Sequence, residues 1–183
     1  MTVAELASLA LGYVGLPRIF SLDEPTESAK DAKLRYPLAA RTVLREGEWA
    51  CARKFASLVE NTVTENKSGR SYLFTLPTDY LRLVALNTEE TDYEIAGGLL
   101  ACDDETADIE YIADISTASP LTYPDDLAVA IALELAVMLA LAKKPEASVQ
   151  LRLEAKEALR RARGSAGLER ADNAPELTPW TDA

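Results

Sequence analysis

Tyr123-Pro124-Asp125-Asp126-Leu127-Ala128-Val129-Ala130-Ile131-Ala132-Leu133-Glu134-Leu135-Ala136-Val137-Met138-Leu139-Ala140-Leu141-Ala142-Lys143-Lys144 is the stretch from which the architecture follows. Pro124 suits the first helical position, and Asp125 and Asp126 complement the positive end of a helix dipole. Lys143 and Lys144 complement the other end, and Pro145 stops the element. Between those caps the run is apolar on every side except at Glu134, which means a buried central helix or a membrane span. Leu127 to Ala142 is only sixteen residues long, and a carboxylate near its middle would cost about 2.5–3.5 kcal/mol in a bilayer. The alanines at 128, 130, 132, 136 and 140 instead let neighbouring helices approach closely. A core helix needs a bundle around it.

The bundle is found on both sides. Thr2 and Glu5 have the spacing of a capping box; Leu6, Leu9, Ala10 and Tyr13 follow at helical spacing, and Gly15 with Pro17 ends the element. Ile19, Phe20 and Leu22 are the expected loop anchors. A second helix is expected from Thr26 toward Gly47, with Leu34, Leu38, Val43 and Leu44 in the core and Trp49 as a plug past its end. Pro37 should kink or divide it. After Lys144 a helix over 146–163 carries an apolar stripe of Leu151, Ala155, Ala158 and Ala162, with Gly164 as its cap. Beside that stripe, Arg152, Lys156, Arg160 and Arg163 fall within about 80° on the helical wheel.

Residues 55–118 have a different texture. Short strand-like runs cover 56–63, 72–76, 80–86, 93–101 and 109–115, separated by turn signals at 66–69, 77–79 and 97–98. The fold class expected is α+β, mainly α: a helical bundle with an inserted small antiparallel β-sheet and an extended C-terminal tail. The divisions are N-terminal helices over 1–54, the β insertion over 55–118, a helical hairpin over 119–166 and a tail over 167–183.

Charge is segregated along the chain. Thirteen carboxylates and no Lys or Arg lie between Leu83 and Ala142, more than the whole formal charge of -11. Such a distribution bears on partners and solubility rather than on fold. It also argues against the phosphate-neutralising grip that dominates nucleic-acid affinity. Histidine is absent, which removes the commonest general base and metal ligand. No Gly-rich phosphate loop or dinucleotide fingerprint occurs, so neither catalysis nor a cofactor is expected. Cys51 and Cys102 read as small buried hydrophobes of a reducing compartment. No secretory signal pattern stands at the N-terminus. Asp103, Asp104, Glu105 and Asp108 lack the glycine and later bidentate Glu of a calcium loop, and read as a solvated hairpin tip rather than a metal site. Glu134 is expected to pair with an Arg of the following helix.

Several segments in this order resemble the head-to-tail adaptors of short-tailed bacteriophages, the tail tubular protein A type. They are Leu11-Gly12-Tyr13-Val14-Gly15-Leu16-Pro17, Ile19-Phe20-Ser21-Leu22-Asp23-Glu24, Tyr36-Pro37, Arg41-Thr42-Val43-Leu44 and Trp49-Ala50-Cys51-Ala52. Further along come Leu76-Pro77-Thr78-Asp79-Tyr80-Leu81-Arg82, Glu110-Tyr111-Ile112 and Tyr123-Pro124-Asp125-Asp126. The resemblance implies a ring of about twelve copies beneath a portal protein at the head-tail junction of a virion, assembled in the host cytoplasm. Such a ring extends the DNA channel and offers a platform to other tail proteins, nozzle or tail tube, with no membrane involved. On that reading Arg152, Lys156, Arg160 and Arg163 form an inter-subunit basic stripe. Asp103, Asp104, Glu105 and Asp108 line a channel or flank along which DNA passes without specific binding. Leu177, Pro179 and Trp180 form a portal-docking tail. The alternative is a soluble helical regulatory or protein-binding module without catalytic activity.

Overall fold

A computed structural model describes residues 1–87, 91–116 and 123–172, with side chains to residue 167. Helix α1 spans Val3–Val14 behind a complete capping box. The Glu5 amide donates to Thr2 Oγ1, and the Thr2 amide donates to Glu5 Oε2 at 2.7 Å. Gly15 closes it in the left-handed region at φ 70°, which glycine adopts without a Cβ penalty. The inward face is Leu6, Ala7, Ala10, Leu11 and Val14. Tyr13, expected in the core, lies on the surface instead.

Helix α2, Glu27–Arg45, is capped by Thr26 and continues through Pro37 as one element. Pro37 sits on a half-buried flank, and the carbonyl it leaves unbonded belongs to exposed Lys33. The core face is Ala29, Ala32, Tyr36, Ala39, Ala40 and Val43, spaced three and four apart, with Leu44 beside it. Leu34 and Leu38, assigned to the core by hydrophobicity, are 75% and 59% exposed. Small residues face inward because they let the backbones of α2 and its neighbour come together; the two leucines fall on the opposite side of the wheel.

That neighbour is α3, Asp125–Lys143, with Pro124 at its N-cap. It packs against α1, α2 and α4, and Leu127, Ile131, Leu135 and Leu139 are wholly buried. Each such side chain removed from water contributes about 1.5–3 kcal/mol. A turn of 3-10 helix at Pro145–Ala147 leads into α4, Ser148–Asp172. Leu151, Ala155, Ala158 and Ala162 face α3 as expected. Gly164 does not end α4. The helix runs through it to Asp172, so the division at 166–167 falls inside a helix. The expected docking residues Leu177, Pro179 and Trp180 lie outside the described residues.

The middle of the chain forms two antiparallel sheets where one was expected. Strands β1 (Arg53–Ser57), β4 (Tyr80–Leu86) and β7 (Asp108–Ala113) make the first, in the order β1-β7-β4. Strands β2 (Val59–Glu60), β3 (Tyr72–Thr75), β5 (Tyr93–Ala96) and β6 (Leu99–Cys102) make the second, in the order β2-β3-β6-β5. Gly97 and Gly98, both at positive φ, join Ala96 to its register partner Leu99 in a two-residue turn. Phe74, Leu100, Cys102, Ile109 and Tyr111 help fill a core between the sheets. Strand β7 serves both cores: Ile109, Tyr111 and Ala113 point into the β core, while Ile112 joins the helical one.

Trp49 plugs the helical core where α2 gives way to β1. It is buried, and its Nε1–H donates to the carbonyls of Val43 and Leu44, each at 3.2 Å. Gly47 makes room for the ring: a Cβ there would lie 2.6 Å from the indole, so a larger residue would force one of the two to shift. Two loop anchors hold and one does not: Ile19 is buried, with Ser8 bonded to both its amide and its carbonyl. Leu22 is half-buried, and Phe20 is 94% exposed. Cys102 is buried, whereas Cys51 lies exposed.

Candidate functional site

The acidic residues expected at a solvated hairpin tip lie instead in a connection between strands of different sheets. Asp103, Asp104 and Glu105 lie in the connection from β6 to β7, at the other end of β6 from Gly97 and Gly98, and Asp108 opens β7. Three of them hold neighbouring strands and turns by hydrogen bonds. Asp103 accepts from the Ser71 amide at 2.9 Å and the Ser71 hydroxyl at 3.0 Å, and from Arg70 Nη1 at 2.9 Å. Arg70 beside it holds its carboxyl below the usual carboxylate range. Asp104 accepts from Asn87 Nδ2 and Thr91 Oγ1, both at 2.9 Å. Asp108 accepts from Ser57 Oγ at 2.5 Å, while its own amide donates to Asn87 Oδ1 at 2.7 Å. Asn87 therefore ties the end of β4 to the acidic connection, and its φ of 39° is the left-handed strain that this tie maintains. Glu105 is exposed.

Cations from earlier in the chain reach the acid-only stretch. Arg41 Nε lies 2.6 Å from Asp114, Arg53 lies 3.2 Å from Glu110, and Arg70 spans Asp92 and Asp103 at 2.9 Å each. Lys54 meets Asp79 at 2.6 Å just before that stretch. Burial pushes the carboxyls of Asp79 and Asp114 up. Hydrogen bonds outweigh it, from Lys54 and Tyr111 to Asp79 and from Ser116 and Arg41 to Asp114, so both end below the usual range. Burial, with Asp79 as its hydrogen-bond acceptor, pushes the Tyr111 phenol up to about 12.

Arg152, Lys156, Arg160 and Arg163 are all exposed on α4. Arg160 pairs with Glu157 at 2.8 Å on its own helix, and Arg163 lies 3.8 Å from Glu46 at the end of α2. Arg152 and Lys156 point to solvent. Glu134, half-buried, does not form the expected salt bridge with α4. Burial pushes its carboxyl up, and Arg152 opposes that through its charge without contact. Tyr36 and Tyr123 join α2 to the entry of α3 by a buried hydroxyl pair at 3.1 Å, and burial raises both phenols.

Two surfaces escaped the sequence reading. The first is an open groove of about 710 Å³ between α1, α3 and α4. Tyr13, Val129, Leu133, Leu153 and Ala158 form its apolar lining; Asp125, Asp126, Glu154 and Glu157 stand on it with one cation, Arg161. The second is the outer face of α2, where Leu34 and Leu38 stand among Lys30, Arg41 and Arg45. An alanine stripe at 29, 32, 39 and 40 was the signal that this helix buries its small face.

Among the described residues, no group of three or more His, Cys, Asp or Glu is placed to hold a metal. No described helix is long and apolar enough to cross a membrane. In comparisons with known proteins, the chain matches no family model and no curated protein.

Proposed function

We propose that the chain is a structural virion protein, a head-to-tail adaptor that forms a ring under a portal, extends the DNA channel and carries the tail. It has no catalytic role. The observation that carries this reading is where the adaptor-like segments fall in the fold. Leu11 to Pro17 is the α1 terminus with its left-handed Gly15. Trp49 and Ala52 are buried in the helical core where α2 gives way to β1. Asp79, in the Pro77 to Arg82 segment, binds Lys54 and Tyr111, which ties β4 to β1 and β7. Tyr123 to Asp126 enters the central helix and bonds α2. Resemblance spread over unrelated surface positions would carry little; here it follows the joints that set the architecture.

The exposed cations of α4 and the acidic β6–β7 connection supply unlike surfaces on one chain, as heterologous ring contacts require. Leu177, Pro179 and Trp180 of the 167–183 tail, with Trp180 as anchor, are assigned to portal docking. The test is to mix the chain with the portal protein of the same genome and image the product. Rings of about twelve copies on each portal are expected. A chain that never attaches to portal, at any ratio, overturns the reading.

A further inference from the structure

We infer that the α1/α3/α4 groove receives the outer face of α2 from a second copy of this chain, in a head-to-tail contact. This rests on the adaptor reading and deepens it by adding an apolar lateral contact beside the α4 cations and the acidic β6–β7 connection, though the contact itself needs no portal. The groove floor is apolar and half-open: Leu153 is 60% and Tyr13 39% exposed, and Val129 and Leu133 lie beneath them. Around it four carboxylates face one guanidinium, and Glu157 is already shared between Arg160 and Arg161.

The α2 face is the counterpart in both shape and charge. Leu34 and Leu38 project one turn apart, and Lys30, Leu34, Leu38, Arg41 and Arg45 fall within about 80° of one another on the wheel. Each of these cations has a partner in its own chain: Lys30 is 3.3 Å from exposed Glu27 on the same face, Arg41 binds Asp114, and Arg45 donates to the neutral Leu81 carbonyl. The three cations thus outnumber the two carboxylates beside them. An apolar pair flanked by cations fits an apolar trough flanked by carboxylates. A basic ridge is also a better occupant for this groove than an acidic segment, because like charges brought together there would repel. The groove and the ridge share no residue, so each copy that donates its ridge keeps a free groove. Contacts of this heterologous type generate rings if the rotation closes and filaments if it does not.

The experiment uses two full-length variants. L34E/L38E removes the ridge and L153R blocks the groove; all three positions are mostly exposed, so folding is retained, which thermal melting checks. Sedimentation is followed from micromolar to millimolar concentration. The wild-type chain should grow in mass with concentration past the dimer, with each variant alone at least tenfold weaker in association. An equimolar mixture of the two variants should form a dimer and stop, because only one intact groove and one intact ridge remain. A wild-type chain that stays monomeric throughout, or variants that associate as the wild type does, overturns the inference. Failure of the adaptor reading would show differently: the mixture would still give its dimer while the wild type ignored portal rings.

Discussion

The bundle and the β region of this chain are held together by different forces. In the bundle, α3 is surrounded by alanines and leucines whose side chains are almost wholly buried, and its interior polar contact is a neutral tyrosine pair. In the β region the apolar core is smaller, and ion pairs and carboxylate braces stitch the strands at Asp79, Asp103, Asp108, Glu110 and Asp114. Apolar burial is nearly indifferent to pH, whereas a paired carboxylate stabilises only while ionised. The lesson is that one chain carries a half held mainly by apolar burial, with ion pairs such as Lys143–Asp31 at its margin, and a half in which paired carboxylates answer to acid.

Core truncation should break the comparison most visibly. Leu135→Ala, at a wholly buried position of α3, should cost about 2–5 kcal/mol, and Phe74→Ala in the β core about 3–5 kcal/mol. Amide exchange distinguishes their consequences. The first should speed exchange throughout the molecule, and the second should open β3 and β6 while α3 stays protected. Equal exchange of all elements in F74A would mean that β7, through Ile112, fuses the halves into one cooperative unit.

Next in size is the Gly47–Trp49 contact at the end of α2. Gly47→Ala forces a methyl group against the Trp49 indole and should cost about 1–3 kcal/mol. Chemical denaturation followed by Trp fluorescence reads it. A neutral result would mean that the indole has room to shift away from Val43 and Leu44.

Acid should separate the two halves. The carboxyls of Asp79 and Asp114 have folded pKa values below 3.8. Their contribution is therefore complete above that unfolded value and is lost as the pH falls through the lower, folded one. As the pH falls below 3.8, exchange in β4 and β7 should rise before exchange in α3 does. Asp114→Ala should remove much of this trend, costing about 0.5–1.5 kcal/mol for each hydrogen bond lost at neutral pH. Uniform acid sensitivity in helices and strands would refute the division.

The smallest effect has the opposite sign. Glu134 has a folded pKa raised above 4.5 by burial, so its ionised form weakens the fold at neutral pH. Protonation relieves that cost as the pH falls through the raised value. Glu134→Gln should slightly raise the melting temperature at pH 7, and the gain should shrink toward pH 4. A drop in melting temperature at pH 7 would show that the charge of Arg152 outweighs the burial.

Much of the bundle was legible because its signals are local. The capping box at Thr2 and Glu5, the caps of α3 and the stripe Leu151-Ala155-Ala158-Ala162 all lie within a few turns of the residues they organise. The Gly97-Gly98 turn was equally legible, since positive φ at both positions demands that residue type. Leu34, Leu38 and Tyr13 were misplaced because hydrophobicity ranks a leucine above an alanine as a core residue. Close helix packing reverses that order where space is short. Gly164 was misread as a cap because a helix that gains contacts along one face can carry a glycine through, at a cost of about 1 kcal/mol.

The sequence by itself determined the element types, the central helix, the basic stripe on α4 and the charge segregation, because each depends on residues near one another along the chain. Only the tertiary structure decided that the seven strands among the described residues divide into two sheets, and that Arg41, Arg53 and Arg70 meet an acidic stretch far downstream. It alone placed an apolar groove between helices that are distant in sequence. Those outcomes depend on which segments meet in space, and neither periodicity nor composition encodes the distance between two residues a hundred positions apart.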